Sequence, residues 1–294
     1  MQITLLGTGC PTASTERYGP AQLITHQDTR ILVDCGSGVT QRLVGAGSAG
    51  RDVDALFLTH LHTDHIIDLY QLIISSWHQG RARPWDIYGP SGTRTYVKGL
   101  MALWAPERAQ RIAHEKRPST TGLEVNVTEL SGGDVTMIGA LSINAFEVDH
   151  RPVRHAFGFK LEPVEGGPTI VLSGDTRPCD ALRDAAKGAD ILVNEVFIHQ
   201  NLPVIEGVRT AESVENVASY HTLSSDVGKL AADANVKVLV LTHFVPPDAD
   251  RQSLLDEVSG DFTGPVILGE DLMTIDAGQM LVTHGNTHIA LSRS

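Results

Sequence analysis

The chain has 294 residues, with 23 Lys and Arg against 35 Asp and Glu, and a formal net charge of −12. That length supports one large α/β core, and the acidity argues against a dedicated polyanion binder, because phosphate contacts need Lys and Arg. Three scattered cysteines, Cys10, Cys35 and Cys179, do not read as a disulfide framework, and no apolar run reaches membrane-spanning length.

Met1 to Leu6 has no basic region ahead of its apolar residues. It reads as the first strand rather than a leader, and the expected location is the cytoplasm. Residues 1–60 read as short strands joined by glycine-rich turns. One of them, Arg30 to Val33, ends in Asp34-Cys35-Gly36. Residues 36–50 carry five glycines and a helix near Val39 to Val44. The strand-like run Asp54 to Thr59 leads into His60-Leu61-His62-Thr63-Asp64-His65, four potential ligands within six positions. In an extended turn His60 and His62 share one side and reach one metal. Asp64 and His65 lie where the next apolar segment starts a helix and can face a second. Neutral imidazole and carboxylate suit zinc and other borderline divalent ions.

Residues 66–78 read as an apolar helix, Tyr88-Gly89-Pro90 as a turn, and 91–114 as one further helix with apolar spacing at Val97, Leu100, Met101 and Trp104. Arg108 to Arg117, with His114 inside, reads as a solvated basic face. Residues 123–148 are strand-like, and the last run, Leu141 to Val148, meets Asp149-His150. Thr169 to Leu172 meets Ser173-Gly174-Asp175. Short helices follow at 179–188 and 222–234. Lys237 to Thr242 then meets His243, and Pro246-Pro247 ends that turn. The tail 277–294 is strand-like at Gln279 to Thr283, with His284 and His288 on its surface. Five strand ends thus stop at ligand-type residues. Open α/β sheets bind outside the carboxyl ends of their strands, so the five can converge on one cleft. The strand and helix alternation indicates α/β.

These residues carry a resemblance to the metallo-β-lactamase superfamily. The HxHxDH motif matches at His60, His62, Asp64 and His65. The later single histidine matches at His150, the bridging aspartate at Asp175 and the final histidine at His243. Leu5-Leu6-Gly7-Thr8-Gly9-Cys10-Pro11, Leu32-Val33-Asp34-Cys35-Gly36, Asn194-Glu195-Val196-Phe197 and Tyr220-His221-Thr222 are similar to the ribonuclease Z and arylsulfatase-like branch. The likeness runs from Gly7 to His243.

The resemblance implies a four-layer αββα sandwich forming a single domain over 1–294, with pseudo-halves of about 1–165 and 166–294. It implies two divalent ions, zinc by default, with manganese or iron able to use the same ligands. His60, His62 and His150 would bind the first ion, Asp64, His65 and His243 the second, and Asp175 both. Asp64 would also orient or deprotonate the nucleophilic water, which attacks the ester as a metal-bridging hydroxide. Asp34 either holds a ligand imidazole in its tautomer or is a turn residue before glycine. Cys35 reads as a small buried residue rather than a soft ligand. Glu195 and His221 match a pair that protonates the leaving oxygen. Histidine at position 62 favours hydrolysis over oxygen-reducing di-iron chemistry, and Asp175 argues against a β-lactam substrate.

The chain also departs from the branch. Asn194 replaces the first histidine of a His-Glu-Ala-Thr motif. His155 replaces a proline before Ala156-Phe157-Gly158, and can face either the pocket or solvent. About fifteen residues separate Phe157 from Ser173, where tRNA-processing members insert a long basic arm. The expected substrate is therefore a small-molecule ester, a phosphodiester or an aryl or sulfate ester, with tRNA disfavoured as a partner and no membrane contact. A homodimer is expected from the resemblance alone. The alternatives are a 3′ tRNA endonuclease, a lactonase or β-lactamase-like hydrolase, and a metal-bound sensor or interaction module without turnover.

Overall fold

The computed structural model describes residues 1–198 and 202–291. The chain opens with β1 (Gln2–Gly7), β2 (Ala21–His26), β3 (Thr29–Val33), α1 (Val39–Gly45), β4 (Ala55–Phe57), α2 (Thr63–Ile66) and α3 (Leu69–His78). It continues through β5 (Trp85–Gly89), α4 (Thr93–Leu103), α5 (Ala105–Glu115), β6 (Val125–Glu129), β7 (Val135–Ile138), β8 (Leu141–Val148) and β9 (Ala156–Pro163). Then come β10 (Ile170–Leu172), α6 (Asp180–Ala186), β11 (Ile191–Phe197), α7 (Ala211–Ala218), α8 (Ser224–Asp233), β12 (Val238–Val245) and α9 (Arg251–Ser259). The last four strands are β13 (Val266–Leu268), β14 (Thr274–Asp276), β15 (Leu281–His284) and β16 (Thr287–Ala290).

The strands form a nine-stranded sheet, β16-β15-β14-β1-β2-β3-β4-β5-β6, and a seven-stranded sheet, β13-β12-β11-β10-β9-β8-β7. Side chains alternate across each strand. Ile31 and Val33 of β3 pack between the sheets, with Phe57, Phe157, Phe159 and Ile170. Leu32 points the other way, onto Leu43 of α1, Leu72 of α3 and Val97 of α4. On the far side, Val171, Leu192 and Leu239 meet Leu182 of α6, Leu230 of α8 and Val258 of α9. Both faces of each sheet are covered, which is why the central strands read as unbroken apolar runs. The result is the expected αββα sandwich.

Several elements differ from the sequence reading. The segment 91–114 is two helices, α4 and α5, broken at Trp104 (φ −96°, ψ 7°). Pro106 lies in the first turn of α5. It has no N–H to continue α4, so the chain restarts there. Trp104 stacks on Tyr70 at 4.9 Å. The basic stretch is solvated as expected: no residue of α5 is buried, and Arg111 and Arg117 pair with Glu107 and Glu115. Helices α7 and α9 were not anticipated. Each starts at a capping side chain, Thr210 or Asp250, which accepts from the backbone N–H of Ser213 or Ser253.

A boundary near residue 165 does not separate the two sheets. The first is built from 2–129 and 274–290, the second from 135–268. β9 pairs with β10 across residue 165, and β14 returns to pair with β1. Among the described residues no helix is long and apolar enough to cross a membrane. The end of the tail, 292–294, lies outside the described residues.

Candidate metal centre

The strand ends meet at one rim of the sandwich, and local backbone features aim each side chain. β3 ends at Asp34, whose positive φ of 60° turns its carboxylate toward Thr59 and His65. β10 ends in Ser173-Gly174-Asp175. Gly174 has φ 60°, and a Cβ there would sit 2.5 Å from the carbonyl oxygen of Phe157. Only glycine makes this turn beneath Asp175. His243 is the extra residue of a bulge in β12. Glu195 of β11 pairs with Thr242, and the next residue, Val196, pairs with Phe244. Left-handed backbone at His243 (φ 47°) re-aims its imidazole into the cleft.

Two separate ligand sets result, and a third group, Asp175, His221 and His243, overlaps them. The ligating atoms of His60, His62, His150 and Asp175 lie within 4.8 Å of one another, as do those of Asp64, His65 and His243. Asp175 Oδ2 sits between the sets, 3.9 Å from His60 Nε2, 3.4 Å from His65 Nε2 and 3.4 Å from His243 Nε2. Asp64 Oδ2 is 3.3 Å from His243 Nε2. The Nε2 atoms of His60 and His65 are buried with no hydrogen-bond partner. Buried polar atoms are normally satisfied. Orphaned imidazole nitrogens converging on a shared carboxylate are the donor set a divalent cation needs.

The outer ring nitrogens are held. His65 Nδ1 is 2.8 Å from Asp34 Oδ2. His150 Nδ1 donates to the Tyr220 carbonyl at 2.9 Å. Thr59 Oγ1 donates to Asp34 at 2.8 Å and stands 3.0 Å from His60 Nδ1. The open choice for Asp34 therefore resolves: its carboxylate anchors His65 directly and His60 through Thr59. With Nδ1 of His65 and His150 donating, their Nε2 atoms present lone pairs inward.

Burial holds His60 well below its ordinary pKa and lowers His150 to about 4, so both are neutral, as ligation requires. Burial acts on His65 in the same direction, but Asp175 and Asp34 outweigh it and raise its pKa. Burial would raise Asp175, yet His243 and His65 hold it well below the usual carboxylate range.

Glu195 and His221 form the expected pair. His221 Nδ1 is 2.9 Å from Glu195 Oε1, which also accepts from the backbone N–H of Thr176 at 3.0 Å and of Thr222 at 3.1 Å. Burial opposes protonation of His221, but Glu195 prevails and lifts its pKa to about 9. A cleft of about 350 Å³ opens over His62, Asp64, Asp175, His221 and His243. Arg209 and Tyr220 also line it, and sequence reasoning missed both as site residues. Tyr220 was seen only as part of a motif, and Arg209 has no pattern around it. His155 stays outside: it is exposed, 3.7 Å from Glu147. Cys35 is fully buried among apolar side chains.

Known proteins carry the same framework. Residues 1–204 match the family described as anti-Pycsar protein Apyc1. A ribonuclease Z from Mycobacterium bovis is 34% identical over 281 residues, covering 94% of this chain and 98% of the relative. One from Mycolicibacterium gilvum is 38% identical over 249 residues, covering 84% and 85%. Among solved structures, the metallo-β-lactamase fold protein YhfI from Bacillus subtilis aligns with TM-score 0.71 at 20% identity, over 93% of this chain and 97% of that one. Human tRNase Z, short form, aligns with TM-score 0.68 at 23% identity, over 94% and 99%. These two likenesses show the fold.

The relatives overturn one expectation. A small-molecule ester as partner, with tRNA disfavoured, conflicts with full-length similarity to ribonuclease Z proteins. The expectation rested on net charge and on the short β9–β10 connection. Net charge sums over the whole surface and does not describe the rim of a cleft. Arg151 and Arg177 pair with Asp149, next to His150 in the chain, and Arg154 lines a separate surface hollow, while Arg209 lines the metal cleft itself.

Proposed function

The chain belongs to the family described as anti-Pycsar protein Apyc1 and, with its ribonuclease Z relatives, to the metal-dependent hydrolases of the metallo-β-lactamase fold; on that premise we propose that it is a dinuclear phosphodiesterase acting on RNA. One observation carries the reading: the Asp175 carboxylate stands 3.4–3.9 Å from His60, His65 and His243, between two ligand sets, and the Glu195–His221 pair opens onto the same cleft. His60, His62 and His150 would hold one ion and Asp64, His65 and His243 the other, with Asp175 available to both. The imidazole-rich donor set favours zinc. When bound, two such ions supply Lewis acidity toward the phosphoryl group and acidify water to near neutral pKa.

The chain's own side chains do the rest. Asp64, 3.3 Å from His243, orients the attacking water. Glu195 keeps His221 protonated and fixes its ring, so His221 can hand a proton from Nε2 to the departing ribose oxygen. That oxygen is a poor leaving group, and general acid catalysis matters most for such groups. Asp34 and Thr59 lock the ligand tautomers behind the ions. Arg154, on the surface near His150 and outside the metal cleft, adds positive charge for the flanking RNA backbone. Three unpaired cysteines support a cytoplasmic location.

Metal analysis combined with turnover tests this. Protein purified without chelator should hold close to two ions per chain, and stripping then refilling should abolish and restore hydrolysis of an RNA phosphodiester. Full activity at a reproducible one ion per chain contradicts the dinuclear assignment.

A further inference from the structure

Arg209 sits in the metal cleft without an acidic partner among the described residues. It is half-buried and lines the same cavity of about 350 Å³ as His62, Asp64, Asp175 and His243. Its only side-chain hydrogen bond there is from Nη1 to the Pro203 carbonyl, at 3.3 Å. Its backbone is fixed: the N–H and carbonyl of Arg209 exchange 2.8 Å hydrogen bonds with Ile205, and the next residue, Thr210, caps α7. Arg17, near the same rim, is committed elsewhere, to Thr8, the Gly269 and Pro247 carbonyls and the Phe244 ring. Among the described residues lining the cleft, Arg209 is the one guanidinium.

The wall beside it is apolar. Leu202 and Val217 line the cavity and pack on Phe197, Ala218 and Val245, a small core cluster of its own. Tyr220 continues this wall, its ring 4.9 Å from that of His150 and 4.7 Å from that of His221. Among the described residues the cleft therefore has a ligand-rich floor, one fork donor without an acidic partner and an apolar side. A phosphodiester carries its negative charge on non-bridging oxygens and has a nucleoside on either side. That charge grows in the transition state, and a planar guanidinium meets two such oxygens at once.

We propose that Arg209 grips the scissile phosphate through its non-bridging oxygens, and that the Leu202–Val217–Tyr220 wall receives the adjoining nucleoside. This rests on the phosphodiesterase reading, and it makes Arg209 a substrate-recognition residue that leaves metal binding untouched.

The test compares Arg209→Ala and Arg209→Lys with the unaltered, metal-quantified protein. Two quantities are read: kcat/KM for bis(p-nitrophenyl) phosphate and the dissociation constant of AMP, measured directly by calorimetry. Arg209→Ala should lose roughly 30-fold or more in kcat/KM, mostly through KM, and weaken AMP by a similar factor. Metal content and circular dichroism should be unchanged. Arg209→Lys should recover only part of the loss, because a point charge lacks the fork. Millimolar guanidinium should restore part of the activity of Arg209→Ala. Values for Arg209→Ala within about threefold of the unaltered protein, or equal behaviour of the two variants without guanidinium rescue, overturn the assignment. If the unaltered protein cleaves no phosphodiester, the functional reading fails separately, and AMP binding still reports on Arg209.

Discussion

Replacing Asp34 by Asn is the sharpest probe of how the centre is built. Asn tolerates the left-handed backbone at this position (φ 60°) better than other uncharged residues, so the substitution isolates the carboxylate from the turn. In the native arrangement Oδ1 accepts from the Thr59 N–H at 2.8 Å, and Oδ2 faces His65 Nδ1 at 2.8 Å and Thr59 Oγ1 at 2.8 Å. An amide cannot accept on both sides. If its NH2 faces His65, it donates to Nδ1 and drives the ring proton to Nε2, the atom that should hold the ion. If it faces Thr59, two N–H groups meet in a buried site. Either orientation costs about 1–3 kcal/mol. That is a loss of roughly 10–100-fold in metal affinity, the range found for residues that orient ligands. Competition against a chromophoric chelator measures it. The weaker-binding ion should belong to the set of Asp64, His65 and His243, with the other set less affected because His60 reaches Asp34 only through Thr59. Unchanged affinity for both ions refutes the tautomer argument.

Further outcomes follow from the same geometry. His221→Ala should reduce cleavage of substrates with alkoxide leaving groups by about 10²–10⁴-fold and spare nitrophenolate esters; equal losses on both mark the Glu195–His221 pair as structural. In metal-free protein the His221 pKa is raised to about 9, so its contribution to stability is complete below about pH 6.5 and lost as pH rises through about 9. The stability gap between metal-free wild type and His221→Gln should shrink across that window, and a gap independent of pH contradicts the ion pair. Arg81 donates to the carbonyls of Gly50, Val53, Arg83 and Pro84 and stacks on Trp85. Arg81→Met strands these acceptors and should cost about 3 kcal/mol in denaturant unfolding; a change under about 0.5 kcal/mol refutes that role.

The proposed ligand set was legible because its chemistry is local. His60 to His65 fall within one turn, and His150, Asp175 and His243 each end an apolar run. The features that aim them were not. The bulge at His243 depends on the register between β11 and β12, which no pattern within β12 encodes. The left-handed backbone at Asp34 follows from contacts to Thr59 and His65, brought together by the β3–β4 pairing. The return of β14 to β1 joins residues 270 to 274 positions apart, a pairing beyond any sequence window. Pro106 was a readable break that helical spacing across Trp104 concealed. The misreading of substrate came from treating −12 as a property of the cleft, whose wall carries the guanidinium of Arg209.

The most direct measurement is cleavage of a 3′-extended precursor tRNA by protein refilled with zinc, run beside Asp175→Ala. Asp175 stands 3.4 Å from both His65 Nε2 and His243 Nε2 and 3.9 Å from His60 Nε2, so removing its carboxylate unlinks the two ligand sets. The account predicts cleavage at a defined phosphodiester, stopped by chelator and restored by metal, and no turnover by a folded Asp175→Ala protein with reduced metal content. Asp175→Ala retaining both ions and near-native turnover, or a fully metallated native protein that leaves the RNA intact, contradicts it.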